Sequence, residues 1–294
     1  MTDKATDRVT DPGAAAGDGL AVYLYGVARG LDPAALDGAA GVGGAPVRTV
    51  PAGTLTALVS TVRLEEYGEA ALRENLEDLA WLEATARAHH DVVDLAAHAA
   101  PTAPVRIATL YRDDARVAQV LAEQGEAFAR ALDRVTGRAE WGVKAYAHRE
   151  ALEPAGPPEP APAPQAGAAG AGTAYLRRRQ DERRRRADAG RKVSEQAAAI
   201  HDRLAELAVA ARHHPPQDPK LSGRAGVQIL NVAYLLEEGD APAFAEAARA
   251  AGERLPGIEL EVTGPWPPYS FIDTTDPASG GHAEPEGAPE GAGR

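Results

Sequence analysis

Apolar residues along the chain follow two rhythms, one of two residues and one of three to four. Leu20–Val27 (LAVYLYGV) alternates, with Val22 and Leu24 toward one face and Tyr23 and Tyr25 toward the other, and this predicts a β-strand. Val47–Val50 and Leu55–Val62 predict a hairpin turned at Pro51-Ala52-Gly53. The period then lengthens. Leu72, Leu76, Leu79, Leu82, Ala86, His89 and Val93 form the stripe of a long amphipathic helix, broken or bent near Gly68 and closed by Pro101 and Pro104. Val105–Tyr111 predicts a strand. Asp113 or Asp114 caps a further helix, with Val117, Leu121, Gln124, Phe128, Ala131 and Val135 as its stripe and Gly137 as its stop.

A second series begins with a strand at Trp141–Ala147. A long helix over about 175–206 follows, then a weaker strand over about 208–214 and a strong one at Gln228–Leu236. Pro242–Leu255 predicts a helix with Asp240 as N-cap and proline in its first turn, and Ile258–Val262 is the last strand. That order, β-α-β-β-α-β, is the ferredoxin-like pattern. The expected fold is α+β in two domains, an N-terminal α+β domain at 20–138 and a ferredoxin-like domain at 139–274. Residues 1–19, 275–294 and the Pro/Ala/Gly run 154–172 are too poor in apolar side chains to offset their ordering entropy, so disorder is expected there. Deletion of 157–169 is expected to be tolerated.

Composition removes several chemistries. The chain of 294 residues has no cysteine, which excludes disulfides, thiolate metal sites and cysteine nucleophiles. No apolar stretch is long enough to predict a transmembrane helix, and the acid-dotted N-terminus does not read as a signal peptide. A cytoplasmic protein is expected. The net charge of −12 argues against a polyanion binder as a whole.

The glycine-rich run Gly41-Val42-Gly43-Gly44-Ala45-Pro46 leads toward a strand, so it lacks the helix N-terminus that a dinucleotide's phosphates need. Neither a phosphate-binding P-loop nor a G-x-S-x-G nucleophile elbow occurs. His90, Asp94 and His98 share one helical face. However, i to i+8 spans about 12 Å, too far for one metal ion to bridge both histidines. His89 lies on the apolar stripe and reads as a core or subunit-contact residue. His213-His214 precedes Pro215-Pro216 and reads as a loop. No cofactor or metal is expected.

Two segments stand out as interaction candidates. Tyr175–Lys192 carries nine basic residues (Arg177, Arg178, Arg179, Arg183, Arg184, Arg185, Arg186, Arg191 and Lys192) against Asp181, Glu182 and Asp188. Three readings stand: a docking face for an acidic partner protein, a nucleic-acid stripe, and a solvated helix. From Val193 the helix changes character. Val193, Ala197, Ile200, Leu204 and Leu207 make a heptad-like seam, so the seam half packs while the arginine half is expected to project. The other candidate is Thr263, Gly264, Pro265, Trp266, Pro267, Pro268, Tyr269 and Phe271, within the run TGPWPPYSF. Its prolines stiffen an extended ribbon that displays three aromatics, to be docked on its own sheet or on a partner. Trp266 and at least one of Tyr269 and Phe271 are expected to be buried against the chain, as a clasp near the domain junction.

The ribbon TGPWPPYSF resembles the signature that closes the gas vesicle protein F/L family. Other blocks follow in that family's order: YLYGV (23–27), LTALVSTV (55–62), LAWLE (79–83), AHHDVV (88–93), PVRIATL (104–110), GRAEWGVKAY (137–146), AYLRRR (174–179) and ILNVAYLLEE (229–238). The resemblance covers about 20–273. It implies a non-enzymatic accessory protein of gas vesicle formation, associated with gas vesicles in the cytoplasm. Its partners would be other gas vesicle proteins, including the hydrophobic wall protein, with no nucleic acid and no membrane. The alternatives are a minor wall component without an assembly role, a nucleic-acid binder through Arg177–Lys192, and a small-molecule enzyme using His89, His90 and Asp91.

Overall fold

The computed structural model describes residues 19–75, 77–152, 171–217 and 226–272. Residues 1–18, 153–170 and 273–294 lie outside the described residues, as does Leu76 of the predicted helical stripe. The chain groups into two compact units, 1–134 with 272–294, and 135–271. Each contains a four-stranded antiparallel sheet, so the fold is mixed α and β.

In the first unit, β1 (Leu20–Arg29), β2 (Arg48–Ala52), β3 (Leu55–Arg63) and β4 (Thr102–Tyr111) assemble in the order β2-β3-β1-β4. The alternation of β1 decides what covers each face. Val22 and Leu24 join Val50, Val59, Val117, Leu121, Phe128 and Leu132 in one apolar core. The last four come from helices α4 (Asp114–Glu123) and α5 (Gly125–Val135). Tyr23 and Tyr25 face the other way, where His89 of α3 (Leu79–Ala99) meets both rings. Pro104 lies inside β4 and does not close a helix, because an edge strand spares the missing N–H.

The long helix expected after Val62, broken or bent near Gly68, is three helices: α1 (Leu64–Tyr67) and α2 (Glu69–Asn75), parted at Gly68 as expected, and α3, parted from them by a second break that was not expected. The Asp78 carboxylate accepts from the Ala80 and Trp81 N–H groups, so a new helix starts at Leu79. The expected stripe changes with it. Leu79 is 68% exposed, and the buried line runs through Thr85, His89, Val92, Val93 and Ala96. The helix expected after Asp113 is likewise two, α4 and α5, parted where the Gln124 backbone leaves helical geometry.

In the second unit, β5 (Arg138–Ala147), β6 (Ala210–His213), β7 (Val227–Glu237) and β8 (Ile258–Trp266) assemble in the order β6-β7-β5-β8. Between them lie the short α6 (Arg149–Leu152), the 35-residue α7 (Ala171–Ala205) and α8 (Ala241–Glu253). Ile200 and Leu204 of α7 and Phe244 and Ala248 of α8 pack on Val143, Ala145, Val232, Tyr234 and Leu236. On the opposite face Ala233 and Leu235 pack with Phe271. Asp240 stands at the N-cap position of α8 with Pro242 in the first turn, as expected, but its side chain does no capping. Its backbone is already helical, it closes a 3₁₀ turn at Glu238–Asp240, and its side chain accepts no capping bond.

Candidate partner-binding site

The arginine stretch and the apolar seam meet on α7 at Val193. Among the described side chains from Leu176 to Lys192 none is buried, whereas Val193, Ala197, Ile200 and Leu204 all are. Arg177, Arg179, Arg183, Arg184 and Arg186 are exposed and Arg185 is half-buried, while Arg178 has no described side chain. The pairing expected from the interleaved acids is present. Arg186 donates to Glu182 at 2.6 Å one turn away, and Arg191 pairs with Asp188. The seam half is held by apolar burial. The arginine half is held by its own helical bonds and exposed ion pairs, which contribute little each.

The ribbon 263–271 is placed differently from the expectation. Strand β8 runs on through Pro265 to Trp266, and Glu140 stands opposite Trp266 in the register with β5. Trp266 is 42% exposed, so the expected burial of this tryptophan is corrected. The reason is that an edge strand tolerates proline and can keep pairing through it, which leaves a side chain near its end in solvent. Phe271 is the buried anchor instead, 3% exposed against Ala233 and Leu235. Tyr269 is half-buried, and Pro267 and Pro268 are buried. Gly264 has φ +132°, and a Cβ there would stand 2.9 Å from the Glu140 carbonyl oxygen, so this position requires glycine.

A polar anchor that sequence reasoning missed sits beside Phe271. The Ser270 N–H and hydroxyl donate to the two Glu140 carboxylate oxygens, each at 2.7 Å, and His214 Nε2 lies 3.1 Å from the same hydroxyl. Burial pushes the Glu140 carboxyl up, while the Ser270 bonds and the charges of His214 and Arg212 pull it down, with burial prevailing. Serine between two aromatics was visible in the sequence. Its partner is 130 residues earlier, on the neighbouring strand, and no local signal joins them.

His89 is 1% exposed, with Nδ1 3.0 Å from the Tyr23 hydroxyl. Desolvation lowers it to about 4, against a backbone hydrogen bond to Val105, so it is a neutral core imidazole at pH 7. His98 is exposed and bonds the Asp94 carbonyl at 2.8 Å within its own helix. His213 lies on β6 with its ring 4.5 Å from that of His201. Among the described residues no group of three His, Asp or Glu side chains could hold a metal ion, and no helix is long and apolar enough to cross a membrane.

Two antiparallel sheets, a helix with an unburied arginine half and a Pro/aromatic ribbon pinned by Phe271 and Ser270 describe a protein built around surfaces. The chain belongs to the gas vesicle synthesis protein GvpL/GvpF family, whose model matches residues 21–273. A gas vesicle protein L of a Streptomyces species is 41% identical over 249 residues, covering 85% of this chain and 91% of that one. A gas vesicle protein F of the same organism is 27% identical over 259 residues, covering 86% and 100%. The crystal structure of gas vesicle protein GvpF from an Anabaena species shares the fold, with a TM-score of 0.61 at 17% identity, covering 86% of this chain and 96% of that one. GvpF from Microcystis aeruginosa matches with the same TM-score and identity, covering 86% and 98%.

Proposed function

We propose that this chain is a non-enzymatic accessory protein that binds other gas vesicle proteins and helps nucleate or assemble the gas-filled shell in the cytoplasm. The carrying observation is α7, whose described side chains from Leu176 to Lys192 include none that is buried, although the same helix packs tightly from Val193 onward. An arginine-rich half-helix outside the core suits an acidic protein surface, where guanidinium groups make paired hydrogen bonds to carboxylates. In this reading Arg177, Arg178, Arg179, Arg183, Arg184, Arg185 and Arg186 form the contact, and the hydrophobic wall protein is among the candidate partners. Residues 263–271 serve first as an internal fastening, with Phe271 and Ser270 as the points of attachment.

The same reading takes the second unit as ferredoxin-like. Its support is the strand order β6-β7-β5-β8, all antiparallel, with the short α6 and the long α7 between its first and second strands and α8 between its third and fourth. The domain division proposed is 20–138 and 139–274.

The test is reversal of Arg183, Arg184, Arg185 and Arg186 to Glu in the full chain, followed by pull-down of co-expressed gas vesicle proteins at low and high salt. Partner capture should fall at low salt while the melting temperature stays near that of the parent. Unchanged capture at low salt would return α7 to a solvated helix and remove the assigned contact.

A further inference from the structure

We propose that the outer edge of β8, with the groove beside it, is a second protein-docking site, for an extended partner segment that alternates apolar and basic residues. This goes beyond the α7 contact and uses none of its residues. Strand β8 is the last in its sheet, and beyond its pairing with β5 no described strand meets its other edge. An edge strand offers a row of backbone donors and acceptors that another chain can complete. The other sheet edges are blunted. Pro51 interrupts β2, β4 bulges away from regular pairing where its register with β1 jumps between Pro104 and Thr109, and β6 has only four residues. From Ile258 to Gly264, β8 has no proline.

Beside that edge α8 leaves a groove of about 500 Å³, floored by Ala245, Ala248 and Gly252 and walled by Ile258, Leu260 and Val262. Its charged rim is acidic on balance, since the single Arg249 pairs with both Glu246 and Glu253. Small helix residues let an added strand bring side chains close under α8. The alternation of β8 gives the rest of the pattern. Leu260 and Val262 belong to the core on the helix side, so Glu259 and Glu261 point to the opposite face. There Glu259 meets His148 at 3.1 Å, and Glu261 meets Lys144 at 3.9 Å on the strand within. A strand added outside would set its apolar residues beside Leu260 and Val262, and its basic residues beside the two glutamates. A second copy fits poorly, because β8 against β8 would set glutamates directly opposite one another.

The experiment uses the full chain and the fluorescein-labelled octapeptide KVKVKVKV, with EVEVEVEV and the block sequence KKKKVVVV as controls, read by fluorescence anisotropy. The alternating basic peptide should bind at least about tenfold tighter than either control. Hydrogen exchange should slow on binding in the segment 258–266 and not in β6. The variant Gly252→Leu fills the groove. A Cβ at Gly252 stands 3.8 Å from Leu260 Cδ1, an ordinary contact, so this variant should keep its melting temperature and lose at least about tenfold in affinity. The double variant Glu259→Gln/Glu261→Gln should lose the preference for the lysine peptide over the glutamate peptide. Equal binding of the block peptide, full binding by Gly252→Leu, or protection that maps away from β8 would each overturn the proposal. A dimer by light scattering that Gly252→Leu dissolves would also overturn it, in favour of a second copy as occupant. Loss of partner capture on reversing the α7 arginines leaves peptide binding at β8 untouched, so the two sites fail separately.

Discussion

His89 shows how one buried side chain can couple stability to pH. Its ring lies 5.7 Å from that of Tyr23 and 5.5 Å from that of Tyr25, and its neighbour His90 disfavours its charged form further. The folded value of about 4 lies below the ordinary imidazole value of 6.5, so between them the unfolded chain binds the extra proton. Stability from this group is therefore complete above pH 6.5 and drains as pH falls toward 4. The expected loss between pH 7 and 5 is about 2 kcal/mol at roughly 1.4 kcal/mol per unit. Chemical denaturation of the parent and of His89→Gln at both pH values measures it, and the variant should lack this component. A parent with a flat response between pH 7 and 5 would contradict the buried neutral imidazole.

The ribbon gives a sharper contrast between neighbours. Phe271→Ala should cost about 3–5 kcal/mol, because it empties a buried site against Ala233 and Leu235. Trp266→Ala should stay within about 1 kcal/mol, because that ring is 42% exposed. Urea unfolding of both variants decides the order. The aromatic content of 263–271 was legible in the sequence, but the choice of anchor was not. It depends on where the sheet's opposite face lies, and on Glu140 being within reach of Ser270.

At the scale of elements, α7 divides into halves with different stabilising forces. Leu204 is fully buried in the seam, whereas Leu176 is 64% exposed at the other end. Leu204→Ala should cost about 2–5 kcal/mol, and Leu176→Ala should stay within about 0.5 kcal/mol, as read from denaturant midpoints. The division at Val193 was legible because the spacing of Val193, Ala197, Ile200 and Leu204 is a property of the helix alone. Of the two breaks that divide α1, α2 and α3, the one at Gly68 was legible and the one before Leu79 was not. The leucine spacing runs across the second, and only the Asp78 cap and the burial of Thr85, Val92 and Ala96 fix where the working helix begins.

At the scale of the whole molecule, each unit carries a core of its own, one around Leu24, Val59 and Leu132, the other around Val143, Leu204 and Tyr234. A fragment spanning 135–272 should therefore express as a folded protein with a cooperative urea transition. A non-cooperative, broad transition would show that the second unit depends on the first. The family signature extends over both units, since its model matches residues 21–273.

The sequence by itself determined the class of this protein, its family, and the kind of element at nearly every position, because alternation, helical period and turn residues are local properties of the chain. The strand at β1 with valine and leucine on one face and tyrosine on the other was readable from eight letters, and so was the change of character along α7. Tertiary structure alone decided which aromatic of the ribbon is buried and what pins it. It also decided that Pro104 and Pro265 sit inside edge strands, and that no described strand pairs with the outer edge of β8 beside a groove of small residues. Several of those outcomes depend on neighbours distant along the chain, as Glu140 is from Ser270. Burial and strand pairing are relations between distant segments, and no local pattern of residues encodes which partner a side chain will meet.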